Sequence, residues 1–243
     1  MFEAVSNPNT PFWHVLTRLG EAQILLPLVG AAALWLWRAA GQGRLALRWL
    51  GAIAVAALLT ALSKLAFMGW GLGSARWDFT GISGHAMFAA ACLPPLAWVA
   101  LLARGVRRRR WVVVAAFLLA ALVAWSRIEV RAHSPSEALI GFALGALASG
   151  WVLRGAPALR LALPLWLPAG LAAAMLLLPL SVPRSRSHEL MMELSRQLSG
   201  RGQVYTRQDL HRRGPAGLPP LVSAAARRGP GTTGPAPSRP SPR

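Results

Sequence analysis

The chain has 243 residues, of which 54% are hydrophobic and only 14% charged, with a mean hydropathy of +0.43. That balance excludes an ordinary soluble domain, and a single cysteine, Cys92, excludes a disulfide framework and reads as a small core residue. The net charge of +18 could suit nucleic acid, but the arginines of the chain body fall between apolar runs, so no nucleic-acid partner is expected.

Apolar runs long enough to cross ~30 Å of hydrocarbon mark membrane spans. In chain order they lie at roughly Ala22–Trp37, Leu45–Phe67, His85–Ala103, Trp111–Trp125, Pro135–Leu153 and Leu161–Leu180. The expected fold is therefore all-α, a polytopic bundle of about six transmembrane helices. The fourth run is short and should extend into its flanks. Residues 1–21 read as a polar or surface segment without a cleavable signal, and residues 22–180 as the membrane domain. Many of the eleven tryptophans, Trp37, Trp70, Trp111 and Trp151 among them, fall near proposed helix ends, where an amphipathic ring suits the headgroup level.

Residues 181–243 form a basic tail. An amphipathic piece, SHELMMELSRQLS, comes first, and the rest is rich in Pro, Gly, Ser and Arg and is expected to be largely disordered. Basic, acid-free loops carry Arg38, Arg44 and Arg48, then Arg104 to Arg110, then Arg154 and Arg160. These should face the cytoplasm, which puts the other two loops, Lys64 to Ser83 and Ser126 to Ser134, on the outer face of an inner or plasma membrane. Six spans would leave both termini outside; if the last run does not cross, the tail is cytoplasmic.

The two outer loops concentrate the chemistry, and charge at a membrane edge is costly enough to need a reason. The second loop and the start of the fifth span, SRIEVRAHSPSEALIG, hold Ser126, Arg127, His133 and Glu137. Ser134, Pro135 and Glu137 read as a capping box that begins a helix. Glu137 also stands four residues after His133, close enough to accept a hydrogen bond from one ring nitrogen and leave the other free as a nucleophile. In the first loop, Ser83-Gly84-His85 open a helix whose N-terminal N–H groups and dipole favour a phosphate. Arg127 adds a planar fork and Lys64 a point charge. His14, His188 and His211 fall outside this cluster, and two histidines with one carboxylate make a sparse zinc site, so no metal or other cofactor is expected.

These residues, Lys64, Ser83-Gly84-His85 and Ser126-Arg127 to His133 to Glu137, resemble the motifs of the type 2 phosphatidic acid phosphatase superfamily over about residues 22–180. The resemblance implies a bundle of about six helices that hydrolyses phosphate esters or diphosphates, often of lipids, without a metal. It makes His133 the nucleophile that forms a phosphohistidine, His85 the acid for the leaving oxygen, Glu137 the group orienting His133, and Lys64, Ser83, Gly84 and Arg127 the phosphate ligands. The chain departs twice from the family pattern. Glu137 replaces the usual aspartate, and the Arg-Pro expected seven residues after Lys64 is Gly71-Leu72. Arg76, or failing it Arg131, could supply the missing cation from the loops.

The expected activity is thus hydrolysis of a lipid phosphate, phosphatidate-like or polyprenyl diphosphate, with membrane lipids as the other partners and the oligomeric state open. His133 must be neutral to attack and His85 protonated to donate, which calls for a bell-shaped pH profile. Transfer of the phosphoryl group to an acceptor other than water is one alternative. A lipid-binding scaffold disabled by the missing arginine is the other.

Overall fold

The computed structural model describes residues 10–101, 106–156 and 187–212, with the single positions Gly170, Ala173 and Leu177. Its elements are helices: α1 (Thr10–Arg18), α2 (Ala22–Arg38), α3 (Gly43–Trp70), α4 (Gly84–Ala100), α5 (Val106–Glu129), α6 (Pro135–Arg154), α7 (Ser187–Ser199) and α8 (Arg207–His211). The architecture is all-α, as expected, with one isolated bridge between Ser74 and Phe79 in the α3–α4 loop. Among the described residues, four helical stretches are long and apolar enough to cross a membrane: Pro11–Arg38, Gly43–Trp70, Arg108–Glu129 and Pro135–Arg154. The chain reads as an integral membrane protein.

Five of the six expected spans correspond to α2–α6; the sixth, Leu161–Leu180, lies outside the described residues apart from Gly170, Ala173 and Leu177. The fourth extends into its flanks, α5 running from Val106 to Glu129 through the arginine cluster. Residues 10–18, taken as a surface segment, form α1, which leads into α2 and packs on α5.

α4 is the central helix. It packs against α2, α3, α5 and α6, and most of its side chains are buried, from Ala86 and Met87 through Cys92 to Val99. Protein rather than lipid surrounds it, so its 17 residues serve as the axis of the bundle. The outward faces of the neighbours are apolar, with Leu58 and Leu62 on α3, Leu118 on α5 and Leu147 on α6 exposed as lipid-facing residues are.

The tightest crossing is between α4 and α6. Gly141, Gly145 and Ser149 recur every four residues along α6 and face α4. A Cβ at Gly141 would meet the Ser83 carbonyl at 2.5 Å, one at Gly145 would collide with the Met87 carbonyl, and Ser149 Oγ donates to the Ala90 carbonyl. Small residues let two backbones approach, and dispersion over that close contact is what holds helices together where lipid is as apolar as leucine.

Helix termini follow the local sequence. Ser134 Oγ accepts from Glu137 N at 3.4 Å, Glu137 Oε2 accepts from Ser134 N at 3.1 Å, and Pro135 takes the first helical position, so α6 begins with the expected capping box. α3 stops at Gly71, whose φ of 73° is cheap for glycine; Gly71 N donates to Phe67 O and Leu72 N to Ala66 O. An arginine in that left-handed position would be strained, which is a local reason for its absence there.

Beyond the bundle, α7 packs on α3, with Gly69 beside Ser195 and Ser199. Tyr205 N then donates to the Met68 carbonyl at 2.9 Å, and Tyr205 and Leu210 are buried against Phe67. Residues 187–212 are therefore a folded part of the protein that returns to the bundle. The amphipathic helix was legible; its return to the bundle was not. The remainder, 213–243, lies outside the described residues.

Candidate active site

The C-terminal ends of α3 and α5, the N-terminal ends of α2, α4 and α6, and the segment after α7 meet at one end of the bundle. They enclose a cavity of about 600 Å³. Lys64, His85, Arg127 and His133 all line it, so the structure brings together four of the expected site residues. Ser83 lies just behind: it is fully buried, and its N–H donates to the Glu137 carbonyl, joining α4 to α6. Neither Ser83 nor Gly84 lines the cavity, so their expected role as direct phosphate ligands is not what this geometry displays. Ser83 Oγ has no hydrogen-bond partner among the described residues.

The spacing of Arg127 and His133 has a backbone cause. The Arg127 carbonyl accepts from both Ala132 N (3.0 Å) and His133 N (3.1 Å), so the chain folds back over the end of α5, with Arg131 at a φ of 54° in the turn. That turn puts the imidazole beside the guanidinium that precedes it by six residues. Arg127 Nη1 donates to Thr17 Oγ1 at 2.7 Å, which fixes the fork from α1. Across the cavity, Gly81, at a φ of 142°, lies so close to Lys64 that a Cβ would meet its side chain at 2.8 Å.

His133 Nδ1 is 2.7 Å from Glu137 Oε2. The carboxylate is completely buried and surrounded by donors: Thr80 N and Thr80 Oγ1 reach Oε1, both at 2.6 Å, while Ser134 N at 3.1 Å and Arg207 Nη2 at 2.7 Å reach Oε2. An oxygen placed among that many donors is an ionised acceptor, so the Nδ1 of His133 carries the proton and Nε2 keeps its lone pair. Burial holds the His133 imidazolium below the ordinary histidine range, the charges of Lys64 and Arg127 add to this, and the Glu137 hydrogen bond opposes it. The balance favours the neutral imidazole.

The structure revises other expectations. His14 and His188 line the cavity, and His211 Nε2 lies 2.7 Å from Asp78 Oδ1, so the three histidines assigned outside the cluster stand around it. Arg76 is exposed, with its guanidinium over the Trp77 ring at 5.5 Å, and Arg131 is exposed too; neither lines the cavity. The cation that does reach this corner is Arg207. Sequence spacing gave no signal for Thr17, Thr80 or Arg207, which arrive from distant parts of the chain. Among the described residues, no group of three or more His, Cys, Asp or Glu side chains is placed to hold a metal ion.

The model of the PAP2 superfamily matches residues 68–160, which span the α3–α4 loop, α4, α5 and α6. A protein in the cps region of Klebsiella pneumoniae, of 22.5 kDa and itself uncharacterized, is 36% identical over 141 residues, covering 58% of this chain and 68% of that protein. No solved structure matches at a comparable level.

Proposed function

The chain belongs to the PAP2 superfamily, whose members are generally phosphatases, and we propose that it hydrolyses the phosphate monoester or diphosphate of a lipid through a phosphohistidine on His133. The observation that carries this reading is the buried Glu137–His133 pair, aimed into a cavity that Lys64, His85 and Arg127 share.

The inventory meets the demands of the reaction. His133 Nε2 attacks phosphorus and forms the P–N bond as the P–O bond to the lipid breaks, and His85 gives its proton to the leaving oxygen. Water, deprotonated by His85, then attacks the phosphohistidine, the P–N bond breaks and inorganic phosphate leaves. Throughout, Glu137 accepts the Nδ1 hydrogen bond, which keeps the tautomer and disperses the charge that grows on the ring. Lys64 and Arg127 Nε, the latter buried and without a hydrogen-bond partner among the described residues, face the charge on the phosphoryl oxygens. Such preorganised cations act mainly by electrostatics and positioning, which is how phosphoryl transfer is catalysed.

A lipid suits the walls. Phe67, Met68, Val130 and Met192 give the cavity apolar sides next to its charged floor, and the helices around it are membrane-spanning in length. The arginines Arg38, Arg44, Arg48 and Arg154 lie at the opposite end of the same helices, where Arg48 stacks on Trp151 at 4.3 Å. By the excess of cations on cytoplasmic loops, the site faces away from the cytoplasm.

The test is phosphate release by the purified protein from phosphatidate, lysophosphatidate and polyprenyl mono- and diphosphates with chelator present, for wild type and His133→Ala. Metal-independent release that disappears in the variant, with an acid-labile phosphoryl adduct trapped on His133, is expected. Release that survives His133→Ala would sink the mechanism, and label passing to an alcohol acceptor in preference to water would make the protein a transferase.

A further inference from the structure

Arg207 lies 70 residues beyond Glu137 and outside the segment matched by the superfamily, yet its guanidinium is bound into the site. Nη1 donates to the Asp78 carbonyl at 3.0 Å and to its carboxylate at 2.5 Å, while Nη2 donates to Thr80 Oγ1 at 3.3 Å and to Glu137 Oε2 at 2.7 Å. These contacts use all four Nη hydrogens and leave Nε–H. Both Nη groups of Arg207 are thus engaged by the protein, as in a clamp, although the residue also lines the cavity. Asp78 holds a φ of 48°, a conformation uncommon outside glycine, and presents its carbonyl and carboxylate to the same guanidinium nitrogen. Thr206 caps α8 through Asp209, which fixes the backbone that delivers the arginine.

We propose that Arg207, brought back from beyond the membrane bundle, is a positioning residue that locks the Glu137–His133 pair and ties it to the α3–α4 loop. The inference rests on the phosphohistidine reading for its catalytic meaning, though the clamp itself can be read without turnover. Glu137 Oε2 is shared between His133, Ser134 N and Arg207, so the arginine both restrains the carboxylate and withholds part of its charge from the imidazole. Lys64 of α3, His85 of α4, Arg127 of α5 and Glu137 of α6 also act on the His133 charge, and Arg18, Glu21 and His188 share its cavity. Changing Arg207 alone removes none of these groups.

The experiment uses the full chain in lipid nanodiscs, comparing wild type, Arg207→Ala, Arg207→Lys and, as an independent way to loosen the clamp, Asp78→Asn. The His133 imidazole is titrated by NMR, and turnover of phosphatidate is followed across pH. Loss of the arginine leaves the full carboxylate charge to His133, so its midpoint should rise by about one pH unit. The acid limb of kcat/KM should rise with it, and kcat should fall about tenfold to a hundredfold with KM little changed, as for other groups that orient a reacting histidine. Arg207→Lys, which keeps a charge but loses the fork, should recover part of both, and Asp78→Asn should move both the same way by less. A His133 midpoint unmoved in both Arg207→Ala and Asp78→Asn would overturn the proposal. So would a rise in KM alone, the mark of a direct phosphate ligand, or a gain in rate, the mark of an occluding segment. If wild type turns over no lipid phosphate while the midpoint still shifts, the clamp stands and the phosphatase reading falls.

Discussion

Replacing Glu137 with glutamine is close to isosteric, and its consequences can be counted from the carboxylate's partners. Oε1 accepts two hydrogen bonds from Thr80, and Oε2 accepts three, from His133, Ser134 and Arg207. A glutamine must turn an NH2 group towards one of these sets. Facing the second set, it meets the Ser134 N–H and the guanidinium head-on and forces His133 Nδ1 to accept, which moves the proton to Nε2 and removes the nucleophile. Facing the first set, it opposes the Thr80 N–H and leaves a neutral amide to support a growing imidazolium. One buried donor loses its acceptor either way, at about 1–3 kcal/mol of stability. The comparable carboxylate-to-amide change behind a catalytic histidine lowers kcat about ten-thousandfold by the same tautomer error. For Glu137→Gln the expected loss is therefore about a hundredfold to ten-thousandfold in kcat, with a modestly lowered unfolding temperature in detergent. Single-turnover release of phosphate from a labelled lipid reads the first quantity, and a thermal melt the second. A kcat within about threefold of wild type, with only the melt affected, would show that Glu137 is a helix cap and that something else sets the His133 tautomer.

The remaining expectations bear on other parts of the molecule. Arg76→Ala should leave turnover within about twofold, because the side chain stacks on Trp77 in solvent, whereas Arg127→Ala should cost about a hundredfold or more, near the value of a lost transition-state donor. Because burial and the neighbouring cations keep His133 below the ordinary imidazole range, its neutral form persists as pH falls. The acid limb of kcat/KM should accordingly lie below ~6.5, and a limb above that value would contradict the environment described. Gly145→Leu should destabilise the bundle by about 1–3 kcal/mol or more through the Met87 carbonyl, while Gly30→Ala, which meets nothing within 4 Å, should be neutral; equal melts would deny the close α4–α6 crossing.

What the sequence disclosed was local. The capping box at Ser134 and the His133–Glu137 pair are four-residue relations on a helix start, so spacing alone reveals them, and the structure keeps both. Helices α2–α6 announce themselves because an apolar run of span length has few other uses. Gly71 carried its own message, since a glycine that ends a helix in a left-handed turn leaves no comfortable place for the arginine the family pattern puts there. What escaped was long-range. Thr17 meets Arg127 across 110 residues, and Arg207 meets Asp78 across 129, distances over which neither periodicity nor motif spacing operates. Arg76 looked suited because it is near in sequence, but a loop that pairs Ser74 with Phe79 turns it towards Trp77. The histidines outside the motifs misled for the same reason: His14 and His188 reach the cavity only because α1 and α7 pack around its rim.

The origin of the walls has a consequence for how the protein is made. Lys64, His85, Arg127 and His133 all lie on helices or the α5–α6 turn, which a ribosome has finished well before it reaches Arg207. The bundle can insert and its helices can pair while the last clamp is still being synthesised. Since Arg207 contacts Glu137, a nascent or prematurely released chain is a membrane-inserted bundle whose Glu137–His133 pair lacks that contact. Competence arrives with the return of residues 204–211 onto the α3–α4 loop, a late closure between distant parts of the chain. On the phosphatase reading proposed above, turnover by such a chain should stay about tenfold to a hundredfold lower until that segment has returned.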